Sequence, residues 1–104
     1  MPQVKQTWTS TGSSGGLTAI EMPDPAELLV LYIDHSTLAS TNSISLQSAQ
    51  NSSGPFFIEA STVISTAVST GFALRVTGPM APWVRPYLHA ASTGIFNFTL
   101  IGVL

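Results

Sequence analysis

The chain has 104 residues, a net charge of −2 and no cysteine. Only 8% of its residues are charged, against about 25% in ordinary soluble domains. The length predicts one domain, and the lack of clustered Lys and Arg argues against nucleic acid or an anionic membrane as a partner. Without cysteine the chain has neither a disulfide nor a thiolate metal site. We expect no secretion signal, and the apolar runs are too short to span a bilayer as a helix.

The scarcity of charge predicts that other protein copies cover part of the surface. About a quarter of the residues are serine or threonine, so short hydroxyls supply the polar surface. A free monomer normally keeps a charged surface for solubility. We therefore expect a homo-oligomer or a component of a larger assembly.

Residues 1–16 are polar and end in a glycine-rich stretch. One interpretation is a flexible tail. The other is an arm that becomes ordered on a neighbouring subunit, with Lys5 and Trp8 as contacts, because aromatic side chains dominate contact energies. Residues 17–104 are predicted to form the folded domain.

From residue 17 onward, apolar and polar residues mostly alternate, which is typical of β-strands. In 42–50, Ile44 and Leu46 alternate with serine and glutamine, which predicts a half-buried strand. Turn signals recur about every 8–12 residues, the spacing of an antiparallel sandwich. Strands are predicted at 17–22, 42–50, 55–60, 62–68, 72–77, 82–90 and 94–101. The predicted fold is all-β, an antiparallel, jelly-roll-like β-sandwich.

The segment 24–36 supports two interpretations. Asp24, Pro25 and Glu27 form a helix-start pattern. Val30 and Tyr32, however, prefer strands, and a strand that is buried on both faces also appears as a continuous apolar run. We predict a strand, with one short helix as the alternative.

The last two predicted strands form a hairpin in the favoured interpretation. A short loop ending in Gly94 would pair Leu88 with Phe96, Pro86 with Phe98 and Val84 with Leu100. Pro86 lacks a ladder donor, which suggests an edge strand or a bulge. The opposite face would then carry Trp83, Arg85, Tyr87 and His89 beside Asn97 and Thr99. Since Trp, Tyr and Arg are the usual interface hot spots, this face is a candidate contact surface; the alternative is a solvated arginine held by its aromatic neighbours.

The sequence predicts no enzyme, metal site or cofactor. His35 and His89 are far apart, and the five acids are scattered. No G-x-S-x-G sequence frames a nucleophilic serine, and the glycines of "TGSSGG" do not follow a predicted strand as a phosphate loop would. The candidate functional residues are therefore interface residues: Lys5, Trp8, Trp83, Arg85, Tyr87 and His89.

Two stretches, "NSISLQSAQNSSGPFFIEA" and "GFALRVTGPMAPWVRPYLHAASTGIFNFTLIG", resemble small β-sandwich virion proteins of tailed bacteriophages, notably head decoration (cement) proteins. The resemblance implies a structural subunit on the capsid surface that binds the major capsid protein and itself, often as a trimer. Such a subunit would bridge capsomers and stabilise the head through many weak contacts. The alternatives are a tail or baseplate accessory module, or a carbohydrate-binding module that uses Trp83 and Tyr87.

Overall fold

The computed structural model describes residues 3–10, 14–22, 26–35, 42–64, 71–78, 81–90 and 95–103. Within these ranges it contains nine strands and no helix, so the all-β prediction is confirmed. The strands are β1 (Gln3–Ser10), β2 (Gly15–Gly16), β3 (Ile20–Glu21), β4 (Leu28–His35), β5 (Asn42–Ala49), β6 (Phe57–Ile64), β7 (Phe72–Thr77), β8 (Trp83–Leu88) and β9 (Phe96–Val103).

The strands form two antiparallel sheets. Sheet A has the order β1-β9-β4-β7, and sheet B has the order β2-β8-β5-β6, with β3 also pairing with β8. Most successive strands change sheets along the chain, as β7, β8 and β9 do. Neighbours in sequence therefore often face each other across the core instead of sharing a hydrogen-bonded ladder.

The core lies between the sheets and is built from the apolar residues that alternate along each strand. Its fully buried side chains include Leu29, Leu31, Ile44, Leu46, Ile64, Val84, Leu88, Phe96, Phe98 and Leu100. The rings of Phe96 and Phe98 are parallel, with centroids 6.0 Å apart. Burial of these side chains is the main stabilising term, since a fully buried Leu or Phe contributes about 1.5–3 kcal/mol.

The predicted terminal hairpin is wrong. β8 pairs with β5 in sheet B, and β9 pairs with β1 and β4 in sheet A. Val84, Pro86 and Leu88 nevertheless point inward, as do Phe96, Phe98 and Leu100. Burial of apolar side chains selects the inward face of each strand, whether the two strands pair in one sheet or pack face to face in two. The predicted inward faces of β8 and β9 were therefore correct, although their predicted pairing was not.

The segment Leu28–His35 is a strand, as predicted, and it lies between β9 and β7 in sheet A. Its buried run from Leu29 to Leu31 is continuous because Leu29 and Leu31 face the core and Val30, on the outer side, is also buried. Asp24 and Pro25 of the helix-start pattern lie outside the described residues. Glu27 lies in a bend, where its amide donates to the carbonyl of Val103 at 2.8 Å.

The described parts of the predicted arm belong to the sandwich. Gln3–Ser10 pairs with β9 over eight residues, and Gly15–Gly16 pairs with β8. Val4 and Trp8 pack against the core cluster. Partial burial of Trp8 and a full ladder thus tie residues 3–10 to the sheet of their own chain, where the sequence predicted a flexible or partner-bound segment.

Pro86 lies in an interior strand, contrary to the expectation of an edge or bulge. It is paired with Leu46 on one side, and on the other side the partner strand is interrupted between β2 and β3. The Leu17 amide donates to the Pro86 carbonyl at 3.0 Å, which uses the one ladder group that proline retains. Proline has no backbone N–H to donate to a neighbouring strand. The break between β2 and β3 lies beside Pro86, so no ladder hydrogen bond from this residue is needed there.

The predicted strands 55–60 and 62–68 are one strand over their described part, Phe57–Ile64. Ser61, which we expected to separate them, pairs with Ser45 within the ladder. The register shifts at Leu46/Gln47, opposite Glu59, so the irregularity is a bulge inside β6 and not a turn.

Candidate interaction face on sheet B

The outer face of sheet B buries polar side chains. β5 was predicted to be half-buried, yet Ser45 is 0% exposed and Gln47 is 7% exposed although they point away from the core. β5 is flanked by β6 and β8, and side chains from β8 and from the loop before β6 lie over it. We call the cluster of Ser45, Gln47, Phe56, Arg85, Tyr87 and His89 the β5–β8 face.

Arg85 is the centre of this face. Its Nε donates to Gln47 Oε1 at 2.9 Å, directly across the ladder. Its Cζ lies 3.7 Å from the centroid of the Phe56 ring and 5.4 Å from that of Tyr87. Guanidinium groups are attracted to aromatic faces, and the aliphatic stem packs against the sheet. Of its two aromatic neighbours along the strand, Trp83 and Tyr87, the guanidinium lies near the Tyr87 ring, and Phe56 lies closer still.

Gly16 makes room for the guanidinium. A Cβ at this position would lie 2.5 Å from Arg85 Cζ and 2.6 Å from its Nε and Nη1. Those three distances are nearly equal, so the backbone of β2 covers one face of the guanidinium plane. Gly16, at the end of the glycine-rich stretch, therefore covers Arg85, a role that was not predicted from the sequence.

His89 extends the β5–β8 face beyond the end of β8. Its Nε2 is hydrogen-bonded to the Ser45 hydroxyl, and its ring centroid lies 4.8 Å from that of Tyr87. The His89 amide donates to the Ser43 carbonyl at 3.0 Å, which continues the β5–β8 ladder by one residue. A histidine beside a serine is a base beside a nucleophile in some hydrolases. Here the serine is completely buried, so a substrate carbonyl cannot reach its oxygen.

Asn42 fixes the bend at His89 and Ala90. Its Nδ2 donates to the Ala90 carbonyl at 2.7 Å, and its Oδ1 accepts from the Ala90 amide at 3.2 Å. The side chain is almost completely buried. Such a two-bond contact replaces a backbone ladder and keeps the end of β8 against the start of β5.

The other predicted interface residues are separated from this cluster or lie at its margin. Trp83 is half-buried at the far end of β8, opposite Glu21 and Ala49. Lys5 is exposed on the outer side of β1 in sheet A. Trp8 points the other way, and its Nε1 donates to the Thr18 carbonyl at 2.8 Å. The structure therefore brings together Arg85, Tyr87 and His89 and leaves Lys5 and Trp8 elsewhere.

Asn97 and Thr99 do not lie beside Arg85, because β9 belongs to the opposite sheet. They line a hollow of about 450 Å³ on the outer side of sheet A, together with Tyr32, Ile33, Asp34, Gly71, Phe72 and Ala73. Asn97 Oδ1 accepts from the Thr9 hydroxyl at 3.1 Å. The expectation that placed these two residues on the arginine face followed from the wrong hairpin.

Sequence reasoning missed Ser45, Gln47, Phe56 and Gly16 as members of the face. The alternation in 42–50 did place Ser45 and Gln47 on the outer side of β5. No local signal shows that an arginine forty residues later lies over them, because that contact depends on which strands pair. Within the described ranges there is no group of three or more His, Asp or Glu residues that could hold a metal ion.

A second feature of sheet B is an exposed apolar strip on its edge strand β6. Phe57 is 62%, Ile58 56% and Val63 62% exposed. In the described part of the chain β6 forms a ladder only with β5, so its other edge is unpaired. The strand has one charged residue, Glu59. We call Phe57, Ile58 and Val63 the β6 strip.

The described residues contain no helix that is long and apolar enough to cross a membrane. No protein-family model matches the chain, and no curated protein matches it. Solved structures with a similar fold include the following two. The crystal structure of PirA is 17% identical, with a TM-score of 0.56 over 94% of this chain and 91% of that one. The other, described by the words "Bacillus endospore appendages form a novel family of disulfide-linked pili", is also 17% identical, with a TM-score of 0.53 over 99% of this chain and 86% of that one.

These similarities show the sandwich fold and contradict the prediction of a bacteriophage capsid decoration protein. The similar structures are PirA and an appendage pilus protein, and neither is a capsid subunit. Neither similarity supports a place in a virion or on a capsid, and the two quoted stretches were the wrong basis for that prediction. The pattern that suggested the resemblance belongs to the architecture, since many β-sandwiches share strand alternation and glycine-containing turns.

Proposed function

We propose that the protein is a self-associating structural subunit that contacts a second copy of itself through the β6 strip. The observation that carries the proposal is the exposure of Phe57, Ile58 and Val63 on an unpaired strand edge. A long apolar edge strand is a template for pairing with another chain. Natural monomers usually protect such edges, so its presence favours a partner.

A second copy is the occupant that fits the strip. Two β6 strands side by side in opposite directions would place apolar residues against apolar residues, and sheet B would continue across the contact. Glu59 is the only charge on β6, so few ions lose their solvation. A twofold contact uses the same patch on both copies, which is the commonest arrangement among homo-oligomers.

The low charge of the whole chain and the similarity to a pilus structure support an assembling subunit. With 8% charged residues, the chain has little charge to keep copies apart. The appendage structure belongs to pili that are disulfide-linked. This chain has no cysteine, so its contacts would be non-covalent.

The test is the concentration dependence of the native mass. Sedimentation velocity should show a species of twice the 10.9 kDa chain mass that grows with concentration. Val63→Lys should weaken the association at least about tenfold, since each copy loses an apolar contact and gains a charge. Asn97→Lys is the matched control, because it adds the same charge at an exposed position on sheet A.

The result that contradicts the proposal is a wild-type protein that stays monomeric at its highest soluble concentration. Equal dissociation by Val63→Lys and Asn97→Lys would also contradict it, because the effect would then come from net charge and not from the β6 strip. Circular dichroism of both variants establishes that each is folded before the masses are compared.

A further inference from the structure

The β5–β8 face contains a cation, Arg85, whose charge no described carboxylate neutralises. Arg85 is half-buried, and its contacts among the described residues are an amide oxygen and two aromatic rings. The described carboxylates Glu21, Glu27, Asp34 and Glu59 form no ion pair with it. A guanidinium that has lost part of its hydration normally gains a carboxylate or phosphate partner.

The surroundings of Arg85 close the faces of its guanidinium plane and hold its direction. Phe56 stacks on it at 3.7 Å, and the backbone of Gly16 lies against it so closely that a Cβ there would collide. The Nε–H is used by Gln47. Among the described residues, none accepts a hydrogen bond from the N–H groups on Nη1 and Nη2. These groups lie in the guanidinium plane and form a fork.

We propose that Arg85 is a binding site for an oxyanion, a carboxylate or a phosphate group, which the two terminal nitrogens hold in a bidentate manner. A fixed, planar fork matches the two oxygens of such a group, and little side-chain entropy is lost on binding because Gln47, Phe56 and Gly16 already orient it. Tyr87, whose ring lies 5.4 Å from Arg85 Cζ, borders the site. The proposal does not depend on the β6 contact, because it concerns β8 and not the sheet edge.

The experiment uses the ¹⁵N resonance of the Arg85 side chain in the full-length protein. Sodium acetate and inorganic phosphate are titrated separately at constant ionic strength, with chloride as the exchanged anion. We expect a saturable shift of the Arg85 Nε–H signal and no saturable shift for Arg75, the exposed arginine of β7. The oxyanion could also be a carboxylate of a second copy of the chain. A dilution series without acetate or phosphate tests this source, because such a carboxylate would shift the Arg85 signal as the protein concentration changes.

Arg85→Lys keeps the charge and removes the fork. Acetate or phosphate should bind this variant at least about tenfold more weakly, whereas Arg75→Lys should bind as the wild type does. The proposal is overturned if neither anion nor protein concentration shifts the Arg85 signal, or if Arg75 responds with the same saturation. Because the titration is carried out on the unmodified chain, it remains decisive if Arg85→Lys fails to fold.

Discussion

The two faces of β5 are both buried, but by different means. Its inward residues, Ile44 and Leu46, are covered by the apolar core. Its outward residues, Ser45 and Gln47, are covered by the polar and aromatic side chains of His89, Arg85 and Phe56. The inner face is held by an effect that is proportional to area and has no direction, whereas the outer face depends on a few contacts with defined geometry. The inner face should therefore tolerate the exchange of one apolar side chain for another, whereas the outer face requires side chains that make the same hydrogen bonds and ring contacts.

The largest effect is expected from the inner face. Leu46→Ala removes a completely buried side chain and leaves a cavity between the sheets, so the free energy of unfolding should fall by about 2–5 kcal/mol. Denaturant unfolding measures it. Ser43→Ala on the same strand is the control, with an expected change within about 0.5 kcal/mol. Equal stability of the two variants would mean that β5 is not packed in the core.

A smaller effect is expected one residue further along, on the outer face. Gln47→Ala removes the acceptor of the Arg85 Nε–H, and unfolding should become easier by about 1–2 kcal/mol, since a hydrogen bond to a charged group is lost at a partly solvated site. Gln47→Glu retains an acceptor and should melt close to the wild type. If the alanine variant is as stable as the glutamate variant, the contact contributes nothing to folding.

The smallest effect on stability is expected at Gly16, and it differs from the effect expected at the adjacent Gly15. Gly16→Ala should cost less than about 1 kcal/mol, because the Arg85 guanidinium can move aside, and that movement should shift the Arg85 Nε–H resonance. Gly15 has a φ of +115° and nothing within 4 Å of a Cβ built on it, so Gly15→Ala should cost about 1–2 kcal/mol through backbone strain. That variant should leave the Arg85 resonance unchanged. The reverse pattern would show that Gly16 does not cover the guanidinium.

From residue 28 onward, most strand segments and their inward faces could be predicted from the sequence, because both follow local alternation. The strand Gln3–Ser10 was missed. Val84, Leu88, Phe96 and Phe98 were assigned to the core, and they are buried. The partner of β8 could not be predicted, because an apolar face is satisfied equally well by a neighbour in the same sheet or by the opposite sheet. The members of the β5–β8 face were missed for the same reason: Arg85 meets Gln47 only because β8 pairs with β5.

Alternation and turn residues were enough to predict an all-β fold and its arrangement as an antiparallel sandwich. Those properties depend on residues that are near one another in the chain, and their physical cause is the two-residue period of a strand with one face in the core. The tertiary structure alone decided that β8 and β9 lie in opposite sheets, that residues 3–10 complete sheet A, and that Arg85 lies between Phe56 and Gly16. These outcomes depend on competing long-range pairings that differ little in local preference, so only the packing of the whole chain distinguishes among them.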